Sequence, residues 1–232
     1  KSSMALIAAL CVAGFTQAAN VSWGTVLGST TSSTGGQLDL TGTGYTCGKG
    51  ETKTYAVIIS DVSSLSQTAD KTLFAISAGL PSGGNVPNQD PKVFIKQCGD
   101  GDGTSTFKYQ VSSKNVTDFD GDPKPGMTNN QSAALAMTIA RDANGAGTIT
   151  FYLDGAQIGT ASFDASTNEL SYIVYGQNFD GSSSYSGTWE IYATNGAVAA
   201  ADVTVDSIRA NVIPEPTALA LLALGVAGVA LR

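Results

Sequence analysis

The sequence predicts an all-β protein, a two-sheet antiparallel jelly-roll sandwich, and three observations support this. Nine short segments rich in β-branched and aromatic residues follow one another between residues 54 and 193. Gly, Asp, Asn, Ser and Pro fill the gaps between them, as expected for many short strands joined by turns. No segment between residues 19 and 211 repeats its apolar residues with a sustained helical period. These patterns favour a sandwich over a helical or α/β fold.

The predicted strands share a length of five to seven residues and a bounding turn signal. They cover residues 54–60, 72–77, 92–97, 106–111, 134–140, 148–153, 157–162, 171–175 and 188–193. Alternation is clearest in TITFYL, where Ile149, Phe151 and Leu153 share one face. Asp154 and Gly155 follow directly and predict a two-residue hairpin turn into the next strand.

Composition and charge exclude several classes of function. The chain has 232 residues, of which 42% are hydrophobic and 13% charged, so intrinsic disorder is disfavoured. Its 12 basic and 19 acidic residues give a formal net charge of −7. Because phosphate backbones repel an acidic chain, we expect no nucleic-acid partner. The sequence contains no histidine, which excludes hydrolases with an imidazole base and zinc sites built on His.

The first residues have the features of a secretory signal peptide. A basic Lys1 precedes an apolar run over residues 4–14, and Thr16 and Ala18 supply small residues before a cleavage point. The run is too short to cross a bilayer. We predict a signal peptide over residues 1–18. A buried N-terminal helix is the alternative, whereas the bulky Leu10 disfavours a lipoprotein anchor at Cys11.

The last residues combine three features. Pro214, Glu215 and Pro216 set an extended segment, because proline fits neither regular helix nor the interior of a sheet. An uncharged, helix-forming run follows over residues 218–231, marginal in length for a membrane span, and Arg232 adds a positive charge. A simple membrane anchor would not need the two prolines, and a GPI signal would need a better cleavage context than residues 212–215 offer.

This order of features over residues 212–232 resembles the PEP-CTERM sorting signal of Gram-negative bacteria. The resemblance implies export by the secretion machinery and processing by an exosortase, a membrane-embedded cysteine transpeptidase or protease. It also implies transient contact of the precursor with the inner membrane through the C-terminal helix. One departure is that the family usually ends in several basic residues, whereas Arg232 stands alone here.

Between the two signals, residues 19–211 are predicted to form one domain, which is long enough for a well-buried core. Cys47 and Cys98 are the cysteines of this region, and an even pair in an exported protein is a disulfide candidate. Such a bridge would stabilise the fold by roughly 4 kcal/mol on the chain-entropy model. The alternative is two separate buried thiols.

The stretch over residues 134–160 resembles the central hairpin of laminin-G-like domains. The positions that match are 136–140, the aromatic strand with its Asp-Gly turn at 149–155, and 158–160. Residues 55–60 and 72–77 resemble the early paired strands, and 187–192 with 199–203 resemble the closing strand and its short turn. The resemblance implies a concanavalin A-like lectin/glucanase jelly roll, a class in which calcium often binds at the rim of the sandwich.

Aspartates are the candidate calcium ligands, since carboxylate oxygens suit this ion. The candidates are Asp100, Asp102, Asp118, Asp120 and Asp122. The last three begin like an EF-hand loop, but Pro123 and Asn129 stand where that loop needs Gly and Glu. Turn formation alone is the competing explanation for these residues.

Catalytic and sugar-stacking residues are less clearly indicated. The Glu-x-Asp-x-x-Glu motif of related glucanases is absent, and Glu51, Glu169 and Glu190 each lack a nearby carboxylate in sequence. We therefore predict no catalytic residue, although a Glu190–Asp pair formed in space stays open. The aromatic residues that flank a Gly/Ser-rich loop could stack on sugars or lie there incidentally. They are Tyr175, Phe179 and Tyr185, whereas Trp189 within a strand pattern is predicted to be core.

The predicted function is that of an exported cell-surface or extracellular-matrix protein with a non-catalytic carbohydrate- or adhesion-type binding domain. A glycan or exopolysaccharide is the expected ligand, and no ligand-binding residue is assigned. Two alternatives remain open. The first is a structural matrix component without a specific ligand, and the second is a glycoside hydrolase.

Overall fold

The structure is a computed structural model, and it describes most of the region between the two predicted signals. The described residues are 21–32, 35–61, 71–79, 92–99, 105–113, 116–120, 124–125, 132–176 and 186–213. In this part of the chain, thirteen strands form two antiparallel sheets packed face to face. The predicted all-β sandwich is confirmed.

Each sheet has a continuous strand order. Sheet I contains, in spatial order, β1 (Gly24–Ser32), β13 (Gly187–Asn195), β3 (Thr52–Ser60), β9 (Ala133–Arg141), β10 (Gly147–Leu153) and β11 (Ala156–Phe163). Sheet II contains β2 (Gly36–Asp39), β12 (Tyr172–Tyr175), β4 (Lys71–Ser77), β5 (Lys92–Gly99), β6 (Ser105–Ser113) and β7 (Val116–Asp120), with β8 (Lys124–Pro125) paired to β6. All nine predicted strands are present, most of them one or two residues longer than predicted.

Four strands were not predicted from the sequence, and two of them, β1 and β2, bury little apolar surface. At the edge of sheet I, β1 reads GTVLGSTTS, is mostly half-buried or exposed, and pairs with β13 through two register shifts. At the edge of sheet II, β2 has four residues and exposes every second one. An edge strand needs only one hydrogen-bonded neighbour, so a strong apolar pattern is not required of it.

The main core lies between the sheets and centres on large aromatic residues. Trp189 on β13 is fully buried, as predicted. Tyr175 on β12 packs against it, with ring centroids 5.6 Å apart and the rings tilted by 52°. Tyr175 is therefore a core residue, because the inward register of β12 directs it between the sheets, and of the two interpretations left open for it the structure favours the one without a sugar-stacking role.

The predicted hairpin at Asp154 and Gly155 is confirmed. Both residues have positive φ, 43° and 83°, as a type I′ turn between strands of right-handed twist requires. Asp154 also accepts a 2.6 Å hydrogen bond through Oδ1 from the Ala134 backbone N–H. Burial raises the pKa of the Asp154 carboxyl, and the hydrogen bond from Ala134 opposes this in part.

A short C-terminal segment covers the outer face of sheet I. A 3-10 turn (Ala200–Asp202) leads to α1 (Val205–Ala210), whose first turn is capped by the Thr204 hydroxyl accepting from Ser207 N–H at 3.1 Å. Val203 and Ile208 pack with Trp23 into a second buried cluster on this face. The sequence predicted no helix here, because six residues are too few to establish a helical period.

Arg141 at the end of β9 is the most buried charged residue of the described chain, with 4% of its surface exposed. Its guanidinium donates to the carbonyl oxygens of Cys47 and Asn168 at 2.8 Å, Ser166 at 2.7 Å and Gly145 at 3.3 Å. It also lies 5.9 Å from the centroid of the Phe163 ring. Through these hydrogen bonds the guanidinium connects the end of β9 to three segments: the chain before β3, the β9–β10 turn and the connection between β11 and β12.

We expect Arg141→Met to lower the free energy of unfolding by about 3 kcal/mol, because buried carbonyl oxygens would lose their donors. Urea denaturation followed by circular dichroism measures this. Lys49→Met, at an exposed turn position, is the matched control and should change stability by no more than about 0.5 kcal/mol. Equal effects of the two substitutions would contradict the structural role of Arg141.

Candidate ligand-binding face

The two outer faces of the sandwich differ in what covers them. On sheet I the outward residues of the central strands, such as Ile58, Ala136 and Tyr192, are buried beneath the chain's own C-terminal segment. Sheet II has no helix packed on its outer face among the described residues. Its outer face carries exposed side chains on β2, and this face is the candidate for binding a ligand.

One row of residues crosses three neighbouring strands of sheet II on this face. Tyr172 on β12 is paired with Asp39 on β2 to one side and with Ser77 on β4 to the other. The residues next to them, Ile173 and Ile76, belong to the main core, so alternation assigns the row to the outer face. Strand pairing thus places Tyr172, Asp39 and Ser77 side by side on the outer face of sheet II.

Exposure along this row differs from strand to strand. Asp39 on β2 is exposed, as is Gln37 two residues earlier on the same strand, and Tyr172 is half-buried. Ser77 is buried and its hydroxyl donates to the Gly79 carbonyl at 2.5 Å, so it is occupied within the protein. The hydrogen bonds that Asp39 accepts from Thr41, one of them from the backbone N–H at 2.8 Å, lower the pKa of its carboxyl. Asp39 is thus a charged acceptor at neutral pH.

A neighbouring part of the same face is closed. Ala75 on β4 and Val174 on β12 are register partners on the outer side, yet both are fully buried and form a small cluster of their own. Among residues whose side chains the structure describes, the open part of this face, called the open strip, therefore consists of the outward residues of β2 and the first residue of β12. It carries Gln37, Asp39 and Tyr172.

The register also assigns lysines to this face of sheet II. Lys92 and Lys96 on β5 alternate with the core residues Val93 and Ile95, so they belong to the outer side. Lys108 on β6 is the register partner of Lys96. The sequence reasoning did not assign these residues, although the alternation within KVFIKQ is the signal that could have identified them.

The predicted calcium ligands do not form an EF-hand loop. Asp118 and Asp120 lie in strand β7, with Asp120 opposite Gln110 of β6, so these two positions are extended and do not begin such a loop. An extended strand sends alternate residues to one side and cannot wrap them around an ion. Asp100, Asp102 and Asp122 lie outside the described residues. Within the described part of the chain, no three acidic or cysteine side chains are grouped to hold a metal ion.

The predicted Cys47–Cys98 disulfide is not formed. Cys47 is a free, buried thiol in the main core, and its Sγ lies 3.9 Å from the Ile139 carbonyl oxygen of sheet I. Cys98 occupies a register position opposite Thr106 that alternation assigns to the outer face of sheet II. The two positions thus belong to different layers of the sandwich. Burial raises the pKa of the Cys47 thiol to about 12.

The glutamates occupy structural positions. Glu190 on β13 accepts two hydrogen bonds from the Arg209 guanidinium and one, at 2.7 Å, from the Tyr192 hydroxyl. Mainly because of Arg209, the pKa of the Glu190 carboxyl is lowered, although desolvation opposes the shift. Through these hydrogen bonds the Glu190 carboxylate attaches α1 to sheet I.

Glu51 and Glu169 approach the same turn from two sides. A Cβ atom on Gly48 would lie 3.4 Å from Oε2 of Glu51 and 3.6 Å from Oε1 of Glu169. Glu51 accepts a 2.7 Å hydrogen bond from the Gly48 N–H and lies 3.9 Å from Nζ of Lys53. Both glutamates are exposed. The two carboxylates therefore lie near each other beside the turn at Gly48.

Comparison with known proteins identifies the C-terminal signal. Residues 212–232 match the PEP-CTERM protein-sorting motif. The motif marks an exported protein of the cell envelope, as predicted. A search of curated protein sequences gives no match.

Several solved structures are similar to this chain over most of its length at low sequence identity. The CBM40 domain of Ruminococcus gnavus IT-sialidase, bound to α2,3-sialyllactose, is 16% identical with a TM-score of 0.48, covering 82% of this chain and all of that one. The leech intramolecular trans-sialidase is 14% identical with a TM-score of 0.49, covering 76% of this chain and 26% of its own. A SAP-like pentraxin from Limulus polyphemus is 14% identical with a TM-score of 0.46, covering 81% and 82%. At these values the likeness concerns the fold and carries no ligand over.

The two predicted terminal segments, residues 1–18 and the apolar run 218–231, lie outside the described residues, as do Arg232, Phe179 and Tyr185. Among the helices of the described residues, none is long and apolar enough to cross a membrane. The C-terminal membrane helix therefore stays a prediction of the sequence.

We expect Cys47 to resist alkylation by iodoacetamide at pH 8 in the folded protein, because burial excludes the reagent and keeps the thiol protonated. Peptide mass spectrometry after labelling, with and without urea, measures this.

The raised pKa of Cys47 also makes the free energy of unfolding depend on pH. The contribution of the protonated thiol is fully present below pH 9 and declines as the pH rises from there toward 12. Cys47→Ala should remove that decline, and rapid native labelling at pH 8 would contradict the burial.

Proposed function

We propose that this protein is an exported, exosortase-processed component of the cell envelope whose domain binds glycans without catalysis. The observation that carries the binding proposal is the open strip along β2 and β12. There a half-buried tyrosine ring, Tyr172, stands beside the exposed side chains of Asp39 and Gln37.

The chemistry of this strip suits a sugar. The ring of Tyr172 offers an apolar surface and a hydroxyl, whereas Asp39 accepts and Gln37 both donates and accepts hydrogen bonds. Sugars present the complementary pair, C–H faces and hydroxyl groups. Because Asp39 is ionised at neutral pH, neutral sugar units suit its immediate surroundings better than acidic ones.

The non-catalytic part of the proposal is supported by the state of the glutamates. Glycoside hydrolysis needs two carboxyl groups facing one sugar, one of them protonated. Glu190 is bound to Arg209 and Tyr192 and has a lowered pKa, the opposite of what a general acid requires. Glu51 and Glu169 lie at an exposed turn.

We expect the domain to bind selected glycans on an array, and Tyr172→Ala to weaken that binding roughly tenfold through loss of the ring. Gln157→Ala on the exposed edge strand β11 is the matched control and should leave affinity unchanged. Urea denaturation of both variants verifies that they are folded.

Calcium is tested in the same experiment by adding the ion or a chelator. Binding that chelator abolishes would support calcium, the candidate cofactor. Absence of binding to any glycan under both conditions would favour the alternative, a structural matrix component. Binding that Tyr172→Ala leaves unchanged would place the site elsewhere.

A further inference from the structure

A lysine and an asparagine lie side by side at one end of two neighbouring strands of sheet I. Lys53 on β3 is the register partner of Asn195 on β13. Its ammonium donates a 2.7 Å hydrogen bond to Oδ1 of Asn195. Because the amide carbon is one C=O bond from Oδ1, Nζ lies at most about 3.9 Å from that carbon. The amine and the carboxamide carbon from which an amide cross-link forms are thus neighbours.

The surroundings of Lys53 keep its amine at this position. Only 11% of its side chain is exposed. Lys53 alternates with the core residues Tyr55 and Val57, so its side chain points between the sheets. Nζ also donates to the Gly44 carbonyl at 3.2 Å. An amine held against one carbonyl group reacts as part of the same molecule, which raises its effective concentration by several orders of magnitude.

A carboxylate lies next to the same amine. Oε1 of Glu51 is 3.9 Å from Nζ of Lys53, and Oε2 of Glu51 accepts a 2.7 Å hydrogen bond from the Gly48 N–H. An ammonium group has no free electron pair and must lose a proton before it can attack a carbonyl carbon. Glu51 is near enough to take up that proton through one water molecule.

The backbone around Asn195 disfavours a competing reaction. Asn195 precedes Gly196, and in such a pair the glycine nitrogen can attack the asparagine side chain and close a succinimide ring. Here the Gly196 N–H donates a 2.8 Å hydrogen bond to the Thr52 carbonyl, which keeps that nitrogen paired within sheet I. Asn195 is exposed, so ammonia released from its side chain reaches solvent directly.

We propose that Lys53 and Asn195 join in an intramolecular isopeptide bond, with Glu51 as the group that transfers protons. Nζ forms a bond to Cγ of Asn195, and the bond between Cγ and Nδ2 breaks. Of the three ammonium protons, one stays on the new amide, and two pass by way of Glu51 to the departing nitrogen, which leaves as an ammonium ion. The step needs no oxidant, no reductant and no second substrate.

This bond would supply the covalent cross-link that the cysteines do not form. It would connect β3 to β13 and close a loop between residues that are 142 positions apart. Closing so long a loop restricts the unfolded chain, so the bond should raise Tm by roughly 10 °C. The inference concerns the durability of the domain and does not depend on the proposed glycan binding.

Tryptic digestion of the full-length chain, folded and then denatured, tests the proposal directly. Without a cross-link, trypsin yields separate peptides 50–53, 54–71 and 142–209. We expect instead that cleavage after Lys53 fails and that peptide 50–71 stays joined to 142–209, with a mass lower by one ammonia molecule. Neither peptide contains a cysteine, so a disulfide cannot produce this product. Mass spectrometry with fragmentation locates the bond.

Variants test the role of each group. Lys53→Arg and Asn195→Ala should both lose the joined peptide and the associated part of Tm. Lys49→Arg, at an exposed turn position, is the matched control and should retain both. Glu51→Gln should slow the appearance of the joined peptide after refolding by roughly a hundredfold. Circular dichroism verifies that each variant is folded.

Three results would contradict the proposal. Separate peptides 50–53 and 142–209 from the folded wild-type chain would overturn it. Loss of ammonia confined to peptide 142–209 would also overturn it, because ring closure at an Asn-Gly pair gives that product without a cross-link. Equal rates for the wild type and Glu51→Gln would overturn the role assigned to Glu51.

Discussion

The fold depends on a buried cation that has no carboxylate partner among the described residues. Arg141 ends β9, and its guanidinium holds carbonyl oxygens from the segment before β3, from the β9–β10 turn and from the connection between β11 and β12. That last connection carries the chain from sheet I to sheet II. Partial charges on carbonyl oxygens thus compensate the desolvated guanidinium, which fixes where the chain crosses between the layers.

The crossing beside Arg141 has consequences for the candidate site. The Cys47 backbone, whose carbonyl Arg141 holds, also pairs with Leu170 two residues before β12 begins. This bridge fixes the position of β12 between β2 and β4, and through the register it fixes Tyr172 opposite Asp39. The geometry of the open strip is therefore determined by contacts in the interior, whereas its chemistry comes from the outward side chains of Gln37, Asp39 and Tyr172.

The sequence predicted the strands that bury apolar residues on at least one face. Such burial requires apolar and polar residues to alternate along the strand, and this alternation is visible in the sequence. It did not predict β1 and β2, whose edge positions impose no such requirement. The candidate strip was missed for a related reason, since Tyr172 and Asp39 are far apart in sequence and meet only through strand pairing. The disulfide prediction was wrong because the number of cysteines does not indicate in which layer of the sandwich each one lies. Cys47 lies in the core, and Cys98 has a register position on the other side of sheet II.

The covered outer face of sheet I and the open strip of sheet II lie on opposite sides of the sandwich. The C-terminal segment, with Trp23 and the exit toward the sorting signal, packs on the outer face of sheet I. The strip with Tyr172 belongs to the outer face of sheet II. Packed sheets lie about 10 Å apart, so the whole core separates the two. The same segment that covers one sheet thus decides which sheet is left for a ligand.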